Sequence, residues 1–280
     1  MANDSAQAAP LEAKSPFELR VNLGANVAES DVRSALASGD MGFLHSFTTG
    51  SAVDGPGVRV VAWTTGCMWR CQYCHNPDTW TMSNGLPVTV ARAAEEIGKY
   101  KYGLKVMSGG FTLSGGEPLM QDRFAIKLLA AAKAMGVHTT VETNGYYADR
   151  LTDKELEQID LVMLGLKTWE PERHKALTRM DNRPTIDFAR RLAALGRPIW
   201  VRFVLVPGLT DDLMDLAKTA AFAARLGNVE RVEVLPFHQM GRFKWERLGL
   251  AYSLRDTPPP TQDAVEAACA VFRAAGLKAV

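Results

Sequence analysis

The sequence predicts an α/β fold built around a largely parallel sheet. From Val58 onward, strand-like and helix-like segments alternate about six times along the chain. Such alternation is typical of parallel strands joined by right-handed helical crossovers. One segment, "DLVMLGLK" at residues 160–167, is almost continuously apolar, as expected for a strand covered on both faces. A doubly wound sheet and a barrel-like sheet both fit this order.

The composition is that of an ordinary globular protein. The chain has 280 residues, of which 47% are hydrophobic and 22% are charged, with a formal net charge of +1. The length suits one large domain or two modest ones, and the charge does not favour a nucleic acid or an anionic membrane as partner. No apolar run approaches the roughly 20 residues that span a bilayer, and no secretory signal is evident, so we expect a cytoplasmic protein.

The first 40 residues differ in composition from the rest. They are rich in Ala, Ser, Asp and Asn and show little periodicity, so we interpret residues 1–40 as a mobile extension with a short helix near Glu29–Ala37. Residues 41–280 are expected to form the folded domain. Its first two strands are predicted at "GFLHSFTT" and "GVRVVAWTT", with a turn at "VDGPG" between them.

The later elements follow from periodicity and from turn and cap residues. Further strands are predicted within "GGFTLSGG", "VHTTVETNG", "DLVMLGLK", "PIWVRFVLVPG" and "VERVEVLPFH". Helices are predicted at Thr89–Tyr102, Asp122–Ala134, near Asp153–Gln158, at Thr210–Leu226 and at Gln262–Ala275. Thr89 suits the N-cap of the first of these helices, and Thr210 or Asp211 that of the fourth.

Polar residues and glycines gather at the carboxyl ends of the predicted strands. They are Cys67–Cys74, Gly115–Glu117, Glu142–Asn144, Lys167, Pro207–Gly208 and His238. Because the carboxyl ends of parallel strands in a barrel lie on one face, we expect these residues to form one site. Loops are generally polar, but that rule does not explain three cysteines, a Gly-Gly-Glu, a lone Lys and a lone His at equivalent positions.

Three of the four cysteines, Cys67, Cys71 and Cys74, lie within "GCMWRCQYCHN". In a reducing compartment such clustering favours a metal or catalysis over disulfides. A structural zinc site wants four ligands, yet Cys269 lies in a helix-like segment that suits a core residue, and His75 directly follows Cys74, where ligation by both is strained. A [4Fe–4S] cluster held by three thiolates keeps one iron open to an outside ligand, and we favour it over zinc.

An open iron gives roles to the other strand-end residues. A ligand with adjacent amino and carboxylate groups could chelate the iron, while Gly115 and Gly116 allow its close approach and Glu117 receives its ammonium. Lys167 could pair with a carboxylate, and His238 could bind a sugar hydroxyl. Taken singly, each feature has a simpler explanation, since a Gly-Gly-Glu is usually a turn and a Lys at a strand end is usually solvated.

The spacing Cys-x3-Cys-x2-Cys, followed by Gly-Gly-Glu in the next β-α unit, resembles the radical S-adenosylmethionine (SAM) superfamily. Further segments are similar to its pyruvate formate-lyase activating enzymes, in that family's order from about Gly42 to the C-terminus. These segments are "VDGPGVR", "GCMWRCQYCHNPDTW", "SGGFTLSGGEPL", "TNG", "DLVMLGLK", "VPGLTDD", "GNVERVEVLPFHQMG", and "KW" with a following "Y".

The resemblance implies a partial (β/α)6 TIM-like barrel of the radical SAM type, one [4Fe–4S] cluster and SAM as cofactors. By this resemblance, Cys67, Cys71 and Cys74 bind the cluster, and Tyr73 and His75 contact the adenine part of SAM. The methionyl amine is held by Gly115, Gly116 and Glu117, while Gly165, Lys167 and His238 line the cofactor site. Asp54 contacts the incoming loop of the partner protein. For Asp54, a plain turn residue before Gly55 is an equally good explanation.

The activity implied is an oxidoreductase step of anaerobic metabolism. SAM is cleaved reductively at the cluster, and the 5′-deoxyadenosyl radical removes hydrogen from a glycine of pyruvate formate-lyase. The partners implied are that glycyl radical enzyme and an electron donor such as flavodoxin or ferredoxin, and we expect a monomer. No cysteine lies between Cys74 and Thr89, which favours this type over relatives with a cysteine-rich insertion. The alternatives are an activase of another glycyl radical enzyme, a radical SAM enzyme acting on a small molecule, an iron–sulfur electron carrier and a zinc-stabilised module.

Two positions depart from the family pattern. Gly165 and Glu142 stand where the family usually has Asp. In the family these acids, with the equivalents of Thr143 and the backbone near Met163, resemble a site for a monovalent cation beside the cofactor. Because Gly165 removes one charged ligand, the presence of a cation in this chain is left open.

Overall fold

The computed structural model describes residues 29–280, and its centre is an eight-stranded sheet. The strands are β1 (Met41–Ser51), β2 (Arg59–Thr64), β3 (Leu86–Thr89), β4 (Gly110–Gly115), β5 (His138–Thr143), β6 (Leu161–Gly165), β7 (Ile199–Leu205) and β8 (Val229–Pro236). Their order across the sheet is β3-β1-β2-β4-β5-β6-β7-β8. From β2 to β8 the neighbours in this order are parallel, whereas β1 runs antiparallel to both β2 and β3.

The helices connect and cover these strands. They are α1 (Glu29–Ser38), α2 (Val90–Gly98), α3 (Lys101–Val106), α4 (Asp122–Ala134), α5 (Asp153–Leu156), α6 (Pro171–Thr178), α7 (Arg183–Ala194), α8 (Leu213–Leu226), α9 (Arg242–Arg247) and α10 (Gln262–Ala274). Within residues 29–280 the edge strands β3 and β8 do not pair with each other, so the sheet is open. Six parallel strands in an open sheet confirm the predicted alternation and the partial barrel that the resemblance implies.

The structure corrects several local predictions. The helix predicted at Thr89–Tyr102 is two helices, α2 and α3, although Thr89 caps α2 as expected by accepting a hydrogen bond from the Arg92 amide at 3.2 Å. The N-cap of α8 is Asp212, which accepts from the Asp215 amide at 3.0 Å. The Thr210 hydroxyl instead accepts from the Val206 amide at 2.7 Å and donates to the Val204 carbonyl at 2.7 Å, so it is bonded to the end of β7 and does not cap α8.

The predicted helix near Glu29–Ala37 is present as α1, whereas residues 1–28 lie outside the described part of the chain. The boundary at residue 40 therefore stays a prediction. None of the helices in residues 29–280 has the length and apolarity needed to cross a membrane.

Among residues 29–280, apolar side chains form two separate clusters. The larger cluster lies between the sheet and its helices, and Cys269 is buried within it, as the sequence suggested. The smaller cluster, which we call the aromatic cluster, packs against Cys71, Cys74 and Trp80 near the carboxyl ends of the strands. Its buried members are Tyr73, Leu177, Val206, Phe237, Trp245, Tyr252 and Leu254.

Candidate functional site

The predicted site residues come together because the parallel strands end on one face. The register places Thr64 of β2 beside Gly115 of β4, and Glu142 of β5 beside Met163 of β6. It also places Gly165, the last residue of β6, beside Arg202. The segment Gly66–Asn76, which we call the cysteine loop, leaves the sheet directly after β2.

Backbone hydrogen bonds fix the cysteine loop. The Gly66 amide donates to the Thr79 carbonyl at 2.7 Å, and the Cys67 amide to the Trp80 carbonyl at 3.1 Å. On the opposite side, the Arg70 amide donates to the carbonyl of Thr178, the last residue of α6, at 2.8 Å. Because these contacts involve the main chain, they hold the loop without using the cysteine side chains.

The three thiols are free and only partly exposed. Burial raises the pKa of Cys67 well above its usual value, and the nearby Cys71, Glu117 and Cys74 raise it further. Burial followed by Cys71 raises the pKa of Cys74 to about 12. Without a metal the thiols are therefore protonated, and a bound metal has to displace these protons.

The donor chemistry of the cysteine loop, three free thiols, is that expected of an iron–sulfur cluster site. Among residues 29–280, no three His, Cys, Asp or Glu side chains are arranged to hold one metal ion. The three cysteines nevertheless influence one another electrostatically within one loop. Thiolates spaced around a multi-iron group are the usual ligands of such clusters, so the loop fits the cluster that the sequence predicts.

Two predicted cofactor residues in the loop carry buried polar atoms without a hydrogen-bond partner in the described chain. These are the Tyr73 hydroxyl and His75 Nε2. The His75 ring stacks on His238, with ring centroids 4.1 Å apart. Burial, with the nearby His238 as the next cause, lowers the pKa of His75 to about 4, so this ring is neutral at pH 7. Buried polar groups normally find partners, and these atoms are therefore suited to a ligand.

The glycines of Gly-Gly-Glu are required by close packing. A Cβ on Gly115, whose φ is +121°, would lie 2.2 Å from the Thr64 amide nitrogen. A Cβ on Gly116 would lie 2.4 Å from the Gly66 carbonyl oxygen. The Glu117 amide also donates to that carbonyl at 2.8 Å. The turn thus packs directly against the start of the cysteine loop.

The Glu117 carboxylate is buried and already accepts three hydrogen bonds. The donors are the Thr143 hydroxyl at 2.5 Å, the Asn144 amide at 2.7 Å and the Leu119 amide at 2.9 Å. Burial raises its pKa to about 7 in spite of these donors. Since a carboxylate can accept about four hydrogen bonds, one further donor such as an ammonium can still be accommodated.

Arg202 is the residue whose role sequence reasoning missed. Its guanidinium bonds to Glu142 at 2.7 Å and to Glu233 at 3.0 Å, and lies 3.8 Å from Asp54. We call these four residues the charged interior. Burial alone would raise the pKa of Glu142, but the charge and hydrogen bonds of Arg202 and the Ser114 hydroxyl hold it below its usual value. A charged residue within the otherwise apolar "WVRFV" was the signal available in the sequence.

Asp54 is more than a turn residue. Its backbone carbonyl accepts a hydrogen bond from the Thr112 hydroxyl at 2.6 Å, and its carboxylate accepts one from the Ser51 hydroxyl at 2.5 Å. The buried Arg59 supports the same turn by donating to the Pro56 carbonyl at 3.3 Å. Burial raises the pKa of Asp54, and Glu142 adds to this effect. The turn therefore places the buried Asp54 carboxylate in the charged interior.

Lys167 reaches back from the end of β6 toward the cysteine loop. Its Nζ lies 5.6 Å from the centroid of the Tyr73 ring. A Cβ on Gly165 would be only 3.0 Å from the same nitrogen. Lys167 thus lies between the Tyr73 ring of the cysteine loop and the end of β6.

Comparisons with known proteins agree with this geometry. The family model described as "Radical SAM superfamily" matches residues 61–220. Over 245 residues the chain is 40% identical to the pyruvate formate-lyase-activating enzyme of Listeria monocytogenes serovar 1/2a (strain ATCC BAA-679 / EGD-e), which covers 85% of this chain and 98% of that relative. It is 44% identical over 234 residues to the protein of the same name from Staphylococcus aureus (strain USA300), and this match covers 81% of this chain and 93% of that relative.

A solved structure shares the fold. It is a domain of pyruvate-formate lyase-activating enzyme from Bacteroides vulgatus ATCC 8482, with a TM-score of 0.51 and 23% sequence identity. The match covers 61% of this chain and 98% of that domain.

Proposed function

This chain belongs to the radical SAM superfamily and, within it, to the pyruvate formate-lyase-activating enzymes, and we propose that it generates a glycyl radical on pyruvate formate-lyase. The observation that carries this proposal is the cysteine loop, in which three free thiols adjoin the Gly-Gly-Glu turn. Cys67, Cys71 and Cys74 would hold a [4Fe–4S] cluster, and SAM would bind beside it. When bound, the cluster supplies the electron that cleaves SAM to methionine and the 5′-deoxyadenosyl radical, which removes hydrogen from the partner's glycine.

The aromatic cluster would shield this chemistry from water. Trp245 donates from Nε1 to the Cys74 carbonyl at 2.8 Å and packs edge-on against Trp80, with ring centroids 5.1 Å apart. The Arg70 guanidinium lies over the Trp80 ring at 4.7 Å. Excluding water from a reactive intermediate prevents side reactions, and this protection is especially important for a free radical.

The other side chains would orient SAM. His75 Nε2 and the Tyr73 hydroxyl, which have no hydrogen-bond partner in the described chain, would bind the adenine part. His238 would support the neutral His75 ring by stacking on it. Glu117 would accept the methionyl ammonium, and Lys167 would pair with the methionyl carboxylate. Asp54, held by Ser51 and Thr112, would contact the glycine-bearing loop of the partner. An electron donor such as flavodoxin or ferredoxin would reduce the cluster of a monomeric enzyme.

The test is SAM cleavage under anaerobic conditions after reconstitution with iron and sulfide. Reduced wild-type protein should produce 5′-deoxyadenosine from SAM, measured by chromatography. Cys71→Ala should produce none, whereas Cys269→Ala, which changes a core cysteine away from the site, should retain it. The proposal fails if wild-type protein with an assembled, reduced cluster yields no 5′-deoxyadenosine.

A further inference from the structure

Trp80 connects the first and the third cysteine of the cysteine loop. Its carbonyl accepts a hydrogen bond from the Cys67 amide at 3.1 Å. Its indole N–H donates to the Cys74 thiol. The main chain of Trp80 therefore holds one end of the thiol series, while its side chain reaches a predicted cluster ligand directly.

Two neighbours hold the Trp80 ring in place. The Arg70 guanidinium lies over the ring, 4.7 Å from its centroid, and donates to the Cys67 carbonyl at 2.6 Å. Trp245 packs edge-on against the same ring, with ring centroids 5.1 Å apart, and donates from its own Nε1 to the Cys74 carbonyl at 2.8 Å. These contacts keep the Trp80 indole beside Cys74.

The backbone also donates hydrogen bonds to the thiols. The Trp69 amide donates to the Cys67 thiol, and the Asn76 amide donates to the Cys74 thiol. Such main-chain donors are present whatever side chains the loop carries. The Trp80 indole, in contrast, is a side-chain donor, so a change of sequence can add or remove it.

A hydrogen bond to a ligand sulfur stabilises negative charge on an iron–sulfur cluster. The reduced cluster carries one more negative charge than the oxidised cluster, so the bond stabilises the reduced form more. Hydrogen bonds to the sulfurs and exclusion of solvent are two of the factors that set the reduction potential of such clusters. Cys74 lies in dry surroundings, because burial raises its pKa to about 12 in spite of the donors Asn76 and Trp80.

We propose that the Trp80 indole N–H raises the reduction potential of the bound cluster through its hydrogen bond to the Cys74 sulfur. This inference rests on the proposed function, because it concerns the cluster of the same site. A reductant of given strength then converts a larger share of the cluster to the reduced form. Arg70 is a positioning residue in this arrangement, since it acts by holding the Trp80 ring.

The experiment is an anaerobic redox titration of the cluster-loaded protein, followed by electron paramagnetic resonance of the reduced cluster. Trp80→Phe keeps an aromatic ring beside the aromatic cluster but removes the N–H. At a fixed solution potential, the ratio of reduced to oxidised cluster should fall about three- to tenfold in this variant, and a tenfold fall corresponds to about 59 mV for one electron.

Trp245→Phe is the matched control, because it removes an indole N–H that donates to the carbonyl of Cys74 and not to its sulfur. Its ratio should stay within about twofold of the wild-type ratio. Electron–nuclear double resonance of the reduced cluster in H2O and D2O observes the bond itself. Trp80→Phe should lack one exchangeable-proton coupling that wild-type protein and Trp245→Phe both show.

Three results would overturn the role of Trp80. They are an unchanged ratio in cluster-loaded Trp80→Phe, an equal fall in Trp245→Phe, and loss of the cluster in Trp80→Phe alone, which would make the bond a requirement for assembly. Each of these results leaves the proposed function standing. Wild-type protein that assembles no cluster on reconstitution would instead contradict the proposed function.

Discussion

The two sides of the candidate site are built from different kinds of interaction. The cysteine loop rests on the aromatic cluster and is held by main-chain hydrogen bonds. The charged interior consists of Asp54, Glu142, Arg202 and Glu233, which pair with one another inside the barrel. The first side suits a redox group that must be kept dry, and the second gathers three buried carboxylates around one arginine.

The difference teaches how each side responds to change. On the side of the cysteine loop, loss of a single hydrogen bond should cost only about 1 kcal/mol, because the surrounding apolar contacts remain. The charged interior should be more sensitive to the loss of Arg202, since Arg202 is the shared partner of Asp54, Glu142 and Glu233 and its removal leaves buried carboxylates uncompensated. Function should therefore depend most on the cysteines, and stability most on Arg202.

The largest effect is expected for Cys71→Ala. Loss of one of three thiolates should abolish cluster assembly, measured by iron content and by absorbance in the visible range. Cys269→Ala should keep full iron content, because that cysteine is buried in the main core. Equal iron loss in the two variants would contradict the assignment of the loop.

Arg202→Met should cause the next largest effect, on stability. Removing the guanidinium leaves Glu142 and Asp54 without an ion-pair partner and Glu233 with only Arg231, 3.4 Å away, which should cost about 3–5 kcal/mol in the free energy of unfolding measured with urea. The cost should shrink as the pH falls, because protonation neutralises the unpaired carboxylates.

The control for Arg202 is Arg173→Met, which removes a half-exposed arginine paired with Asp212 at 2.9 Å. It should cost at most about 1 kcal/mol, as exposed ion pairs usually do. Similar losses in the two variants would mean that the charged interior is not the stabilising network described.

Glu117 should give the protein a specific pH dependence. Its pKa is raised from 4.5 to about 7 by burial, so between these values the folded form keeps a proton that the unfolded chain has lost. The free energy of unfolding of cluster-free protein should therefore fall with rising pH across this range, by about 3 kcal/mol from this group.

Glu117→Gln should remove that part of the pH dependence, measured by urea unfolding at several pH values. Glu155→Gln is the control, because hydrogen bonds from Thr152 lower the pKa of Glu155, and this change should leave the decrease in place. If Glu117→Gln keeps the full wild-type decrease, Glu117 is not the group responsible.

The smallest effect is expected for Trp245→Phe on the aromatic side. It removes the hydrogen bond to the Cys74 carbonyl and should cost about 1 kcal/mol in unfolding free energy while retaining the cluster. Trp63→Phe removes a comparable bond to the Thr48 hydroxyl in a more exposed place, and it should cost less. A loss of iron in Trp245→Phe alone would show that this bond controls cluster binding.

The cysteine side was largely predictable from sequence, and the charged interior was not. The cysteines, Tyr73 and His75 are neighbours in the chain, so their spacing alone carries the chemical information. The positions of Glu117, Lys167 and His238 at strand ends also predicted that they lie on the same face, because parallel strands have a common direction. The roles assigned to these residues stay predictions until a ligand is tested.

Side-chain pairing across strands could not be predicted in this way. Arg202 contacts groups from β5, β8 and the turn before β2, and only the register of the folded sheet brings these together. The short strand β3 was missed because its stability comes from pairing with β1 and not from its own pattern. Likewise, nothing in the sequence indicated that Lys167 would fold back over Gly165.

The most direct measurement of the central claim is electron paramagnetic resonance of pyruvate formate-lyase after incubation with the reduced, cluster-loaded protein and SAM. The account predicts a glycyl radical doublet with wild-type protein and with Cys269→Ala, and no doublet with Cys71→Ala. Wild-type protein that carries its cluster and cleaves SAM, yet leaves no glycyl signal on pyruvate formate-lyase, would contradict it.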